Sequence, residues 1–388
     1  MSAAIPYGRQ SIDDDDIAAV NVVLRSDWLT QGPAIEHFEA RVAQYCGARY
    51  AVAVSNATAA LHVACLALDL GPGDLLWTSP NTFVASANCA LYCGADIDFV
   101  DIDPRTLNLS VEHLAHKLEE AQRAGRLPKV VVPVHFAGQS CYMAALHELS
   151  QRYGFALVED ASHAIGGQYR DKPVGSCTYS DVTVFSFHPV KIVTTAEGGM
   201  VLTNREDLYQ ALLRFRSHGI TRDPAQLQGE VDGPWSYQQL DLGFNYRMTD
   251  IQAALGASQM NRLDGFVARR RELVGRYREA LAGLPLSLPE DAPDARPAWH
   301  LQVVTLDDAS WRKPAFNALR ARGVQVNVHY QPVYLQPFYR ARGFQPGYCR
   351  NAEHYYYRAL TLPLFPAMRD QDFERVVDAV TTTLSEIS

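Results

Sequence analysis

The segment FSFHPVKIVTTAEGGM, residues 185 to 200, holds one cation, Lys191, and no other Lys or Arg lies between Lys172 and Arg205. An amine set among Phe, Val, Ile and Thr loses its charge readily, and a neutral amine condenses with aldehydes. The run also fits a lysine whose stem packs while its head reaches water, so other residues must decide. In FALVEDASHAIGG an acidic pair follows an apolar strand, which puts the carboxylate of Asp160 at the strand's C-terminal end. Asp160 suits a helix cap; buried, it would keep a proton on a pyridine nitrogen, as pyridoxal phosphate requires to act as an electron sink. In YAVAVSNATAALHVACLAL a strand and a polar turn lead into a helix opening on Ala57 and Thr58. Their small side chains leave backbone N–H groups open to a phosphate. Ser186, five residues before Lys191, can add a hydroxyl, and Phe83 can lie over a flat ring or pack in the core. Each feature alone is ambiguous. Cradle, plate, acid and isolated amine, in that chain order, fit pyridoxal 5'-phosphate.

The elements that must position these residues can be read from apolar runs at 50–54, 75–78, 97–100, 129–134, 155–158, 182–187 and 199–203. Helical stretches such as 58–67, 111–124 and 143–153 fit between the first five, giving a mostly parallel α/β sheet covered on both faces. The link between the last two runs is too short for a crossover helix, so these strands are expected to be antiparallel, with Lys191 in their connection. Ligands gather at such strand ends. A long helical pattern follows, with Leu263, Val267, Val274, Tyr277, Leu281 and Leu284 on one stripe and Arg269, Arg270 and Arg271 read as largely off it. The expected division is a large cofactor-binding domain over 1–250 and, over 251–388, a linking helix with a small α+β domain.

Bulk properties exclude several classes. The 388-residue chain has a formal net charge of -8, and no basic block or aromatic-basic interleaving, so nucleic acid is not an expected partner. The longest apolar window carries Ser55, Asn56, Thr58 and His62, against a membrane span, and the start lacks a secretory pattern. A cytoplasmic location is expected. Seven scattered cysteines read as reduced core residues, and the histidines show no metal-binding spacing, so no metal is expected.

SNATAALH, EDASHAIGG, FSFHPVK with TTAEGGM, and LGFNYRMTDIQAALG resemble the motifs of the DegT/DnrJ/EryC1/StrS sugar-nucleotide aminotransferases, a branch of the fold-type I pyridoxal-phosphate enzymes. The resemblance extends from IPYGRQ to LPLFP and implies a seven-stranded mostly parallel sheet with a smaller C-terminal α+β domain. It implies that Lys191 forms the imine with the aldehyde and shuttles the proton, that Asp160 partners the pyridinium, and that His163 reaches the 3'-oxygen. Ala57, Thr58 and Ser186 would hold the phosphate, Phe83 would stack on the ring, and Asn245 would reach the phosphate of the neighbouring subunit in a homodimer with shared active sites. His188, Arg247 and His329 match positions near the amino donor's carboxylate or the sugar nucleotide, with Tyr7 and Trp28 as further substrate candidates. IPYGRQSI, WLTQGP and VNVHYQPVYLQPFYR resemble the branch that aminates C4 in pseudaminic acid biosynthesis. That implies transfer from L-glutamate to a UDP-4-keto-6-deoxy-N-acetylhexosamine; another 3-keto or 4-keto sugar, such as a UDP-4-keto-pentose, and a non-catalytic pyridoxal-phosphate-binding regulator are the alternatives. Tyr334 departs from the family, which usually has a histidine after HYxPV. Retention of Lys191 argues against the 3-dehydratase branch, where histidine replaces it.

Overall fold

The apolar runs become one sheet in a computed structural model that describes residues 4–387. In chain order the strands are β1 (Tyr50–Val54), β2 (Leu75–Thr78), β3 (Asp96–Phe99), β4 (Val130–Val132), β5 (Ala156–Asp160), β6 (Val182–Ser186) and β7 (Gly199–Thr203). They lie side by side as β1-β7-β6-β5-β4-β2-β3. Every residue of β4, β6 and β7 is buried, as expected for β-branched and aromatic strands covered on both faces. Only β7 is antiparallel, pairing Val54 with Gly199 on one side and Ser186 with Gly199 on the other. The β6–β7 connection therefore turns back sharply and carries Lys191 at the edge of the cavity.

Strand β5 runs two residues further than its apolar run and ends on Asp160 itself. Successive strand side chains point to opposite faces, so the two acids part company. Glu159 turns away from the cavity and is satisfied by His135 Nε2 at 2.6 Å and by the hydroxyls of Ser180 and Thr183. Asp160 is left facing the cavity.

The helices Ala57–Ala67, Val111–Ala124 and Met143–Tyr153 connect successive strands. Beyond the Asp250–Gln259 and Leu263–Ala280 helices, Leu286–Ser287, Gln302–Leu306 and Ala359–Leu362 form a small antiparallel sheet. The extended run around 324–330 makes single bridges only, Val324 with Ile5 and Asn327 with Thr361. One apolar cluster joins Ile5, Val54, Tyr277 and Leu384, so the core is continuous across residue 250.

The long helix corrects one expectation. Leu263, Val267, Val274, Tyr277 and Leu281 are buried, and so is Arg270, at 1 % exposure. Its Nη1 donates to the carbonyls of Trp299, His300 and Leu364 at 3.1 to 3.3 Å, with no carboxylate beside it. Residue 270 lies three after 267 and four before 274, which puts it on the stripe rather than off it. Among the described residues, no helix is long and apolar enough to cross a membrane, no disulfide forms, and no group of three or more His, Cys, Asp or Glu side chains is placed to hold a metal ion.

Candidate active site

A cavity of about 1100 Å³ opens where the C-terminal ends of β5 and β6, the first turn of the Ala57–Ala67 helix and the extended run near residue 329 converge. Lys191 lines it with an amine that makes no hydrogen bond or ion pair among the described residues. Burial lowers its pKa from the usual 10.5 to about 8, and the nearby Asp160 only partly offsets this. About a tenth of the amine is therefore uncharged and nucleophilic at pH 7, far more than for an ordinary lysine. Asp160 is buried; Oδ2 accepts the Ser86 hydroxyl at 2.6 Å, and Oδ1 accepts the Ser162 hydroxyl at 2.6 Å and the Ser162 N–H at 3.1 Å. These donors fix the carboxylate's orientation.

The helix beginning at Ala57 is capped by Asn56, whose Oδ1 accepts the Ala59 N–H at 2.8 Å. Among the described residues, the N–H groups of Ala57 and Thr58 find no acceptor, and neither does the Ser186 hydroxyl. Three donors thus stand open at a helix N-terminus, the arrangement a phosphate fills. The Gly-Gly pair after Lys191 makes this possible. A Cβ on Gly199 would stand 2.6 Å from the Asn56 carbonyl carbon and oxygen, and one on Gly198 would meet the Thr195 hydroxyl and Met248. Phe83, 60 % exposed just ahead of the Ala85–Tyr92 helix, forms part of the cavity wall.

On the opposite side, His163, His300, His329 and Tyr330 bring aromatic rings to the same space. His329 Nδ1 lies 2.8 Å from the Thr361 hydroxyl, and burial, reinforced by Lys191, drops its pKa to about 3. Burial first, then Lys191, holds His163 well below the ordinary imidazole range. These rings are neutral at pH 7. The Tyr7 ring lies 5.5 Å from that of His329, tilted by 52°, and the Tyr7 carbonyl accepts the Leu364 N–H at 2.9 Å. His188 reaches the cavity from the β6–β7 connection.

Three sequence candidates lie outside this cavity. Trp28 is 54 % exposed and packs near Gly32; Arg247 lines a separate cavity of about 510 Å³; Asn245 is exposed, bridged to Ser217 while its neighbours Phe244 and Tyr246 face the main cavity. Within one chain the structure does not bring these three to Lys191. Tyr334 is also elsewhere, fully buried, donating to Glu353 at 2.5 Å and accepting the Cys349 N–H at 3.1 Å. Its ring packs against Phe99 and Tyr348, a role in the core. Sequence reasoning missed His62, His300, Tyr330, Gln331 and Gln336, all on the cavity wall. HYQ was visible beside His329, but nothing marked the His of WHLQ as more than a strand-end residue.

An amine of lowered basicity, a fixed carboxylate at a strand end and an open helix N-terminus, on this seven-stranded sheet, define a pyridoxal-phosphate site of the fold-type I aminotransferase kind. The chain belongs to the DegT/DnrJ/EryC1/StrS aminotransferase family, whose profile matches residues 10–381. It is 39% identical over 382 residues to the spore coat polysaccharide biosynthesis protein SpsC of Bacillus subtilis, covering 97% of this chain and 96% of that one. Among solved structures, Helicobacter pylori PseC, an aminotransferase of pseudaminic acid biosynthesis, superposes with a TM-score of 0.90 at 27% identity, covering 99% and 100% of the two chains. Spr1654 of Streptococcus pneumoniae in its PMP form gives 0.91 at 28% identity, with 99% and 100% covered. The protein is a pyridoxal-phosphate-dependent sugar aminotransferase of this family.

Proposed function

We propose that this chain moves the amino group of L-glutamate to C4 of a UDP-linked 4-keto-6-deoxy-N-acetylhexosamine, the reading its motifs share with the pseudaminic acid branch. The observation that carries it is the unpaired Lys191 amine in a cavity that also holds Asp160, the open Ala57–Thr58 turn and a polar wall of Tyr7, Gln331 and His329. Bound pyridoxal phosphate supplies an electron sink that stabilises a carbanion at the donor's α-carbon. The chain's residues do the rest. Asp160, fixed by Ser86 and Ser162, holds a proton on the ring nitrogen. Lys191 would hold the aldehyde of the resting cofactor and, once freed, its amine would take the proton from the donor's α-carbon. Ala57, Thr58 and Ser186 would anchor the phosphate, Phe83 would cover one ring face, and His163 would meet the 3'-oxygen.

Substrate positioning is assigned to Tyr7, His188 and His329. We further propose a homodimer in which the exposed Asn245 reaches the partner's phosphate, with Trp28 and Arg247 serving a site completed across the subunit boundary. The 39% identity to SpsC favours a second reading, a keto sugar of a polysaccharide pathway. Incubating the enzyme with glutamate and a panel of UDP-4-keto and 3-keto sugars, with NMR of the products, separates the two. Amination at C4 of the 6-deoxy-N-acetylhexosamine is expected. Exclusive turnover of another keto sugar overturns the first reading. Borohydride reduction of the holoenzyme is expected to fix the cofactor to the peptide containing Lys191.

A further inference from the structure

The reaction outlined above leaves two buried imidazoles on the cavity wall, His62 and His300, without a task, and only His300 packs against His163. His300 is 4 % exposed, and its side chain makes no hydrogen bond among the described residues. Its ring lies 4.5 Å from that of His163, tilted by 46°. The Nδ1 atoms of both rings are enclosed and unpartnered. An enclosed N–H without an acceptor costs more than an enclosed lone pair, so each ring keeps its proton on Nε2. For His163, Nε2 is the atom 3.4 Å from the Tyr330 hydroxyl.

The backbone around His300 is held with unusual firmness. Trp299 has φ +53°, a left-handed conformation costly for a bulky residue. Such strain persists only where the surroundings over-determine it. Here the buried Arg270 grips the carbonyls of Trp299 and His300, and the His300 N–H donates to the Ala137 carbonyl at 2.8 Å. Gly138, at φ +99°, closes the gap between the two histidine segments. A Cβ there would lie 2.8 Å from both the His163 carbonyl oxygen and the His300 nitrogen.

We propose that His300 is a positioning residue for His163: its ring seals the buried side of that imidazole and leaves only the Nε2 edge of His163 turned toward the cofactor. The cofactor half of this statement rests on the assignment of His163 made above. The charged and titratable groups around His163 are Lys191, His329, His300, Tyr330 and Asp160. Burial is the largest cause of the low basicity of both His163 and His300, so opening the seal acts on the dominant cause.

The test is nitrogen NMR of histidine-labelled, cofactor-free protein, with His163 assigned by His163→Gln. In the natural chain His163 is expected to show one Nε2–H tautomer and to stay neutral through the range where an ordinary imidazole titrates. In His300→Ala, water reaches Nδ1, and the His163 midpoint rises by about one pH unit or more with a second tautomer appearing. His300→Phe restores the seal without the nitrogens and is expected to match the natural chain, so it keeps the test decisive if the Ala variant does not fold. Pyridoxal phosphate affinity, read from the near-visible band, is expected to fall roughly tenfold in His300→Ala and to recover in His300→Phe. An unchanged His163 in folded His300→Ala, or a released His163 in His300→Phe, overturns the proposal. Absence of any cofactor band in the natural chain would instead sink the functional reading, leaving the NMR comparison intact.

Discussion

Lys191 and Arg270 are two cations taken out of bulk water, and the chain treats them in opposite ways. Arg270, on a long helix, meets three carbonyls and ties Trp299, His300 and Leu364 into one unit. Lys191, on a short turn between antiparallel strands, makes no hydrogen bond or ion pair among the described residues and feels only the field of nearby Asp160. Arg270 spends its Nη1 on three carbonyls while its Nε stays enclosed without a partner, which marks it as structural; the half-buried Lys191 amine borders open space, the setting of a reactive group. The contrast also separates the acids of β5, since Glu159 is spent on His135, Ser180 and Thr183 while Asp160 keeps its place toward the cavity.

The largest test of this contrast is Lys191→Ala, which is expected to cut multiple-turnover transamination by ~10⁴-fold or more while leaving the thermal transition near its original value. Retained turnover would break the assignment. Gly199→Ala pushes on the Asn56–Ala57 backbone, and pyridoxal phosphate affinity measured by titration is expected to weaken by ~100-fold. Arg270→Met strands three carbonyls and is expected to cost roughly 3 kcal/mol in denaturant unfolding. A stable, fully active Arg270→Met protein would erase the distinction between the two cations.

A pH series sharpens it. In the cofactor-free protein, Lys191 is mostly protonated below its pKa of about 8 and mostly uncharged above it, so its labelling by an acylating reagent should rise with a midpoint near that value. Between about 8 and the usual 10.5 the unfolded chain binds the extra proton, so this residue's contribution to stability increases with pH across that window. Lys191→Ala should remove that slope. The smallest effect is expected for Tyr334→Phe, about 1 kcal/mol from the hydroxyl shared by Glu353 and Cys349, with an unchanged KM for the keto sugar. A raised KM would return Tyr334 to the substrate site.

Much of the sheet was legible because its strands are short, apolar and separated by helical or turn-forming segments. The reversal before β7 followed from loop length alone. Lys191, Asp160 and the Ala57 turn were visible because each interrupts an apolar pattern with a group that must be accounted for. Arg270 was misread because three arginines in a row suggest a solvated face, although the middle one lies seven positions from both Leu263 and Tyr277 on the buried stripe. His300 and Tyr330 escaped because their significance depends on Trp299, Gly138 and His163, which long-range folding assembles around them. Where Asn245, Trp28 and Arg247 act could not be read from one chain's pattern, and within one chain they lie apart from Lys191.

The Ile5 N–H donates to the Gly323 carbonyl, the Ile5 carbonyl accepts from Gln325, and the Tyr7 carbonyl accepts from Leu364. Residues 5 and 7 are thus stitched to 323, 325 and 364, more than 300 positions further along. During synthesis the chamber stays unfinished until position 364 has emerged, so vitamin B6 capture is an event of the completed polypeptide.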